Sequence, residues 1–366
     1  MPPPAPEPIA QVEQIPEVVP QPVDGDHAVV ELVFVLDTTS SMSGLIEGAK
    51  ETIWSVVNDF SSQQPRPELR VGLVAFRDRG DAYVTQLTPL TTDLDAVYGT
   101  LASLQAQGGG DGPESVLKGL ADAVHQQPWT ESGRVFRSIF LVGDAPDKHY
   151  PDEPTAQQVV DAARAKNIYV NAVQCGQMGG TQAEFELIAK VGNGTFVAVA
   201  QDGATARRAS PYDGELMELQ SQLSGTALPW GSRSDKSAVE AKLRQVAGSS
   251  GFSNAARMSA LSKGGGKLVT SAGRGDLLDD LEGVELDSIA DNELPDALRA
   301  LPAPARKAEV DRRAAERTRL QARIDGLVAQ RDAWLTAERA KDAETRYDRV
   351  IVEESLEALT ALGYID

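Results

Sequence analysis

The run VFVLDTTSSMSG, residues 33 to 44, sets an aspartate at the end of an apolar strand and a hydroxyl-rich turn directly after it. Asp37, Thr39 and Ser41 alternate in a D-x-[ST]-x-S arrangement, so one carboxylate and two hydroxyls can converge on a hard cation where the chain leaves a sheet. The same order of residues is also that of a helix N-cap. Which reading holds depends on what the rest of the chain brings to the same edge.

Working outward, apolar runs alternate with helical patterns between residues 29 and 199. The runs are VVELVFVL (29 to 36), LRVGLVAF (69 to 76), SIFLVG (138 to 143), IYVNAVQC (168 to 175) and TFVAV (195 to 199). Most are apolar throughout, as parallel strands covered on both faces require. AYVTQL (82 to 87) follows the second strand after RDRGD and reads as an antiparallel edge partner. Helical patterns fill 44 to 60, 93 to 104, 113 to 125, 155 to 165 and 181 to 190, with Pro113 at a first helical position and Thr155 near a helix start. The sum is a doubly wound α/β domain with a mostly parallel sheet and flanking helices, over residues 28 to 200, followed by a smaller, mainly helical extension.

In such sheets ligands gather beyond the carboxyl ends of the strands. Asp144, in VGDAPDKH, ends the SIFLVG strand, and the glycine-rich QGGGDGPES brings Asp111 to a loop before a helix. Asp37, Thr39, Ser41, Asp111 and Asp144 are all oxygen donors, which favours Mg2+, or Mn2+, over zinc or copper. Carboxylates this close repel one another unless a cation balances them. Asp78 is placed to hold a water near the ion, while His27, His125 and His149 are scattered and form no recognisable metal triad.

Taken together, DTTSSM, GLVAFRD, GGGDGPES and VGDAPD resemble the von Willebrand factor A domain, or integrin I-like domain, with its metal-ion-dependent adhesion site. The resemblance covers roughly residues 28 to 200 and matches Asp37, Thr39 and Ser41 to the D-x-S-x-S motif and Asp144 to the later strand-end aspartate. Asp111 stands where many members carry a threonine. The resemblance implies magnesium-dependent binding of a protein partner, in many members through the partner's own acidic residue. An extra protein carboxylate at Asp111 neutralises more of the ion and lowers that dependence.

The rest of the chain limits the alternatives. A formal charge of -19 over 366 residues argues against a nucleic-acid partner. That acidity sits forward, with 23 Lys/Arg against 41 Asp/Glu before residue 301 and 12 against 13 after it. Cys175 is the single cysteine, so no intrachain disulfide forms, and its apolar setting reads as a buried thiol. No run is long and apolar enough for a membrane span.

Residues 1 to 27 are Pro-rich, read as a disordered leader, and lack the features of a signal peptide. The compartment stays open: cytoplasmic, or periplasmic or extracellular if the chain is a mature or trimmed form. Residues 201 to 305 read as a linker and mixed helical extension, with core packing the safer reading of Trp230. Residues 306 to 366 read as a helical arm or hairpin, where Leu320, Ile324, Leu327, Arg331 and Trp334 make a short heptad-like seam. That seam zips two subunits or folds back on the segment carrying Val350, Ile351, Leu356, Leu359 and Leu362. The tail resembles C-terminal extensions on some bacterial A-domain proteins.

No GxSxG or lysine-bearing phosphate loop appears, and no general base is assignable. A non-enzymatic, metal-dependent binding or scaffolding protein is therefore the leading expectation. A metal-dependent phosphohydrolase, and a structural assembly protein whose ion only stabilises, are the alternatives.

Overall fold

The computed structural model describes residues 28–339, except 62, 64–66, 111, 132, 200–209, 248–250, 265–274 and 282, together with 356, 357, 360 and 363. The 1–27 leader, residues 201–209 and 265–274 of the extension, and most of the expected hairpin partner of the final helix lie outside the described residues.

Six strands form one sheet: β1 (Val29–Asp37), β2 (Glu68–Phe76), β3 (Thr85–Thr91), β4 (Val135–Gly143), β5 (Ile168–Cys175) and β6 (Asn193–Val199). Their spatial order is β3-β2-β1-β4-β5-β6, parallel except for the antiparallel edge pair β2 and β3. Every residue of β1 is buried, because helices cover both of its faces. Leu32, Phe34 and Leu36 meet Ile53, Trp54, Val57 and Phe60 of α1 (Ile46–Ser61) and Val97, Tyr98 and Leu101 of α2 (Leu94–Ser103). Val33 and Val35 point the other way, into a layer shared with α3 (Val116–Gln126), α4 (Ala156–Ala165) and α5 (Thr181–Val191). The chain leaves β1 towards β2 on one side and later returns to β4 on the other, so a crevice opens beyond the carboxyl ends of β1 and β4.

Two local expectations shift. The edge strand runs over 85–91 rather than 82–87, and it contains Pro89, which an edge tolerates because one side of the strand needs no ladder donor. Pro113 is not at a helix start. Glu114 instead pairs with the loop after β4, its N–H donating to Pro146 O at 2.9 Å and its carbonyl accepting from Lys148 N at 2.8 Å. The helix therefore begins only at Val116. Thr155 does cap α4, with Gln158 completing a reciprocal capping box.

Beyond the sheet follow α6 (Asp213–Ser224), α7 (Arg233–Ala247), α8 (Gly251–Gly264), α9 (Leu277–Asp280), α10 (Asp296–Arg299) and α11 (Ala303–Arg339). Ala255, Ala256, Met258 and Leu261 of α8 join the core layer of α1. Trp230 is buried in a smaller cluster with Leu228, Leu277, Leu298 and Val310, and its indole N–H donates to Asp280 at 2.8 Å.

On α11 the buried stripe is Leu320, Ile324, Val328, Arg331 and Leu335; of the expected 4-3-4-3 seam, Leu320, Ile324 and Arg331 lie in it, Leu327 is partly buried against the same core, and Trp334 is half-buried. A straight helix of 3.6 residues per turn drifts off a heptad, and here it packs on α6 and α8 of the same chain. Arg331 is tolerated in that stripe because its Nε donates to Asp213 at 2.8 Å. Leu356, from the expected hairpin partner, packs against the main core cluster. No helix among the described residues is long and apolar enough to cross a membrane.

Candidate metal centre

The end of β1 and the turn after it build the floor of the crevice. Asp37 Oδ1 accepts from the backbone N–H of Thr39 at 2.8 Å and from its hydroxyl at 2.6 Å. Thr39 Oγ1 lies 3.0 Å from Ser41 Oγ, which donates to Asp144 Oδ1 at 2.9 Å. Four of the five expected residues thus form one chain of oxygens running from the fully buried Asp37 and Thr39 to the exposed Ser41. Asp111 lies outside the described residues. Gly143 is part of the fit: a Cβ there would stand 3.2 Å from that of Asp37.

The glycine-rich loop is stitched onto this floor. Ser40 N donates to Gly108 O, and Gln107 N to Thr38 O, each at 3.0 Å. Gly109 has φ 73, and a Cβ on it would lie 2.8 Å from Glu114 Oε1 and 3.2 Å from Thr39 Cβ. Only glycine lets the backbone pass there. The same measurement puts Glu114, which the sequence reading did not single out, against Gly109, the glycine that also meets Thr39. Asp78, at the end of β2, accepts from Ser115 Oγ at 3.1 Å and from the Tyr150 hydroxyl at 2.9 Å, so its carboxylate orders the neighbouring loops.

Two carboxylate oxygens in this cluster, Asp37 Oδ2 and Glu114 Oε2, are buried with no hydrogen-bond partner. Burial and the adjacent carboxylates of Asp37, Asp78, Asp81 and Asp144 push Glu114 up to about 8. Asp37 and Asp144 titrate as a pair held above the usual carboxylate range, chiefly by burial. Cys175 is buried next to them, and burial followed by the charges of Asp144 and Asp37 pushes its thiol up to about 12. It is not a reactive thiolate. Orphaned anionic oxygens beside hydroxyls are the donor set a hard divalent cation takes, so the residues fit such an ion.

A second group lies on the loop after β4. Asp147, His149 and Glu184 form a clustered acidic and histidine metal-ligand group, each offering one ligand atom within 4.8 Å of the others. His149 is therefore not isolated, contrary to the expectation from sequence. The signal was unreadable there because Glu184 comes from α5, 35 residues away along the chain.

Residues 31–204 match the family model described as the von Willebrand factor A domain. No curated protein matches the chain. Among solved structures, an aerotolerance-related membrane protein from Bacteroides fragilis is similar at 20% identity, over 49% of this chain and 94% of that one, with a TM-score of 0.33. Proximal thread matrix protein 1 from the mussel byssus, in a form described as having a zinc-occupied MIDAS motif, is similar at 17% identity and a TM-score of 0.37, over 48% of this chain and 42% of its own. The pilus adhesin SpaC from Lactobacillus rhamnosus GG gives 16% identity and a TM-score of 0.39, over 50% of this chain and 29% of its own. The chain thus spans less than half of the mussel and pilus proteins. The sheet order, the cluster at the ends of β1 and β4 and the family match together identify residues 31–204 as a von Willebrand factor A domain.

Proposed function

We propose that this domain is a non-enzymatic, cation-dependent protein-binding module, and that Asp37, Thr39, Ser41, Asp144 and Glu114 hold a magnesium ion, with manganese as a substitute. Asp111 is the further carboxylate of the set, supplied by the same loop as Glu114. A bound ion supplies a positive centre at the surface that accepts an oxygen from a partner's acidic side chain. The rest is done by the chain. Thr39 and Ser41 offer neutral oxygens, the β4 loop fixes Asp144, and the bridge from Glu114 to Pro146 and Lys148 holds that carboxylate at the crevice.

The observation that carries the reading is the pair of buried, partnerless oxygens on Asp37 and Glu114. Groups of that kind cost free energy in a fold unless something else satisfies them. The exposed Ser41 marks the side from which a partner approaches. The helical extension is the scaffold behind it, since α8 packs on α1, the helix that follows the ion-binding turn.

The test is a magnesium titration of the folded full chain, followed by partner capture in magnesium, in chelator and with Asp37→Ala. Binding in the millimolar range or tighter, lost with Asp37→Ala, and capture that follows the ion are the expected results. No magnesium or manganese binding by the folded protein overturns the site. Equal capture under all three conditions overturns the mechanism and leaves a structural ion or none.

A further inference from the structure

The loop after β4 carries more than Asp144. Asp147 is wholly buried at its side chain, and each of its oxygens is committed in a defined direction. Oδ1 accepts from Leu117 N at 2.8 Å and so caps the start of α3. Oδ2 accepts from His149 N at 2.6 Å and lies 3.1 Å from His149 Nδ1. Glu184, in the first turn of α5, gives Oε2 to the N–H of Asp147 at 3.0 Å. Its Oε1 is buried and has no partner. The imidazole itself is 69% exposed.

Both oxygens of Asp147 and one of Glu184 are anchored on backbone N–H groups, which fixes the two carboxylates in place as groups behind a metal's own ligands do, and only Glu184 Oε1 is left without a partner. Two ligand atoms on a tetrahedral zinc-type ion with bonds of 2.0–2.2 Å stand about 3.3 Å apart, close to the 3.1 Å between Asp147 and His149 here. An imidazole nitrogen beside two carboxylates also selects a different ion from a cluster of carboxylates and hydroxyls. Nitrogen ligation favours zinc and its neighbours over magnesium.

We propose that Asp147, His149 and Glu184 form a second cation site, taking a divalent transition metal of the zinc type, open to solvent or to a partner's ligand on the side of His149. Occupancy ties together the loop that carries Asp144, the start of α3 and the start of α5. The site shares no ligand with the magnesium group, so either assignment can fail alone.

The experiment is a zinc titration of the full chain with magnesium in excess, read by calorimetry, with cobalt absorbance in the visible range as a report of nitrogen ligation. Three variants are compared with the parent. His149→Asn suits the backbone, since asparagine tolerates the φ of 56 found there. Glu184→Gln keeps an acceptor for the Asp147 N–H, and Asp37→Asn removes a charge only from the other group.

The expected result is one zinc per chain, retained in Asp37→Asn. In His149→Asn and Glu184→Gln it weakens by at least about 100-fold, the upper end of what losing a group behind the ligands costs. The cobalt spectrum disappears in His149→Asn. Parent-like zinc binding in both His149→Asn and Glu184→Gln overturns the site. So does zinc lost in Asp37→Asn alone, which places it among the hydroxyls, or no zinc bound by the folded parent.

Discussion

Strand β1 carries a fully buried carboxylate near each end, and the two are treated in opposite ways. Near its start, Glu31 accepts from Thr130 N at 3.1 Å and Thr130 Oγ1 at 2.6 Å, with Arg70 and Arg137 each 3.7 Å away. At its finish, Asp37 keeps one oxygen for Thr39 and leaves the other without a partner, among further acids. Both sit in the same sheet, so burial alone does not separate them. What differs is whether the chain supplies the opposite charge. At Glu31 it does, and the group is structural; at Asp37 it does not, and the proposed ion would supply the missing charge.

The largest expected effect breaks the matched end. Glu31→Ala removes the counter-charge of the mostly buried Arg137 and the acceptor of the Thr130 N–H, while Arg70 keeps Glu68 at 2.7 Å, and should cost about 3 kcal/mol in denaturant unfolding. The cost should be the same in magnesium and in chelator. A loss that magnesium repairs would join the two ends of β1 into one site and end the contrast.

Magnesium gives the next largest effect. At roughly 100 times its Kd a ligand specific to the folded state adds about 2.7 kcal/mol. Thermal unfolding should show that increment in the parent and in moderately destabilised Glu31 variants, and not in Asp37→Ala. If Asp37→Ala keeps it, the ion sits elsewhere.

How much of this contrast was legible in sequence follows from where each signal lies. Asp37, Thr39 and Ser41 are contiguous, and Asp144 follows an apolar run, so strand-end placement could be read from pattern. Glu114 could not. Its partner residues, Pro146 and Lys148, are distant in sequence, and Pro-Glu after glycines has the local look of a helix start. Glu31 was hidden for a similar reason: a charge within an apolar strand shows nothing of the threonine and arginines that meet it. The extension was harder still. SNAARMSALSK is small and polar by composition, yet α8 buries Ala255, Met258 and Leu261 against the sheet domain. Tertiary packing decides such a helix, not its own periodicity.

A pH series sharpens the comparison. Glu114 stands at about 8 against its usual 4.5, and the Asp37 and Asp144 pair is also raised. At low pH both the folded and the unfolded chain hold these protons, and the contribution of these groups is fully present. Above pH 4.5 the unfolded chain releases them while the fold retains them, so in chelator stability falls from about pH 4.5 to about pH 8. Burial raises Glu31 in the same direction, against the pull of Thr130 and the arginines, so part of the slope belongs to the other end. Saturating magnesium should remove the share due to the Asp37 end and leave that of Glu31. Unfolding midpoints at several pH values, with and without the ion, separate the two shares. A slope untouched by magnesium contradicts the assignment.

The smallest effect is one of sign. Asp37→Asn keeps an acceptor oxygen for the Thr39 N–H and hydroxyl, and places a neutral NH2 where the partnerless Oδ2 stood, facing acids that can accept from it. In chelator the substitution relieves a buried repulsion, so stability should change by no more than about 1 kcal/mol and in the favourable direction. In magnesium the same variant should be less stable than the parent, because the ligand's contribution is gone. No substitution at a merely structural carboxylate gives that reversal, since removing its charge there leaves a cation unpaired whatever the solution contains. Paired melts of the parent and Asp37→Asn in the two buffers decide it, and a variant less stable in both would place Asp37 with Glu31 among the residues that only hold the fold together.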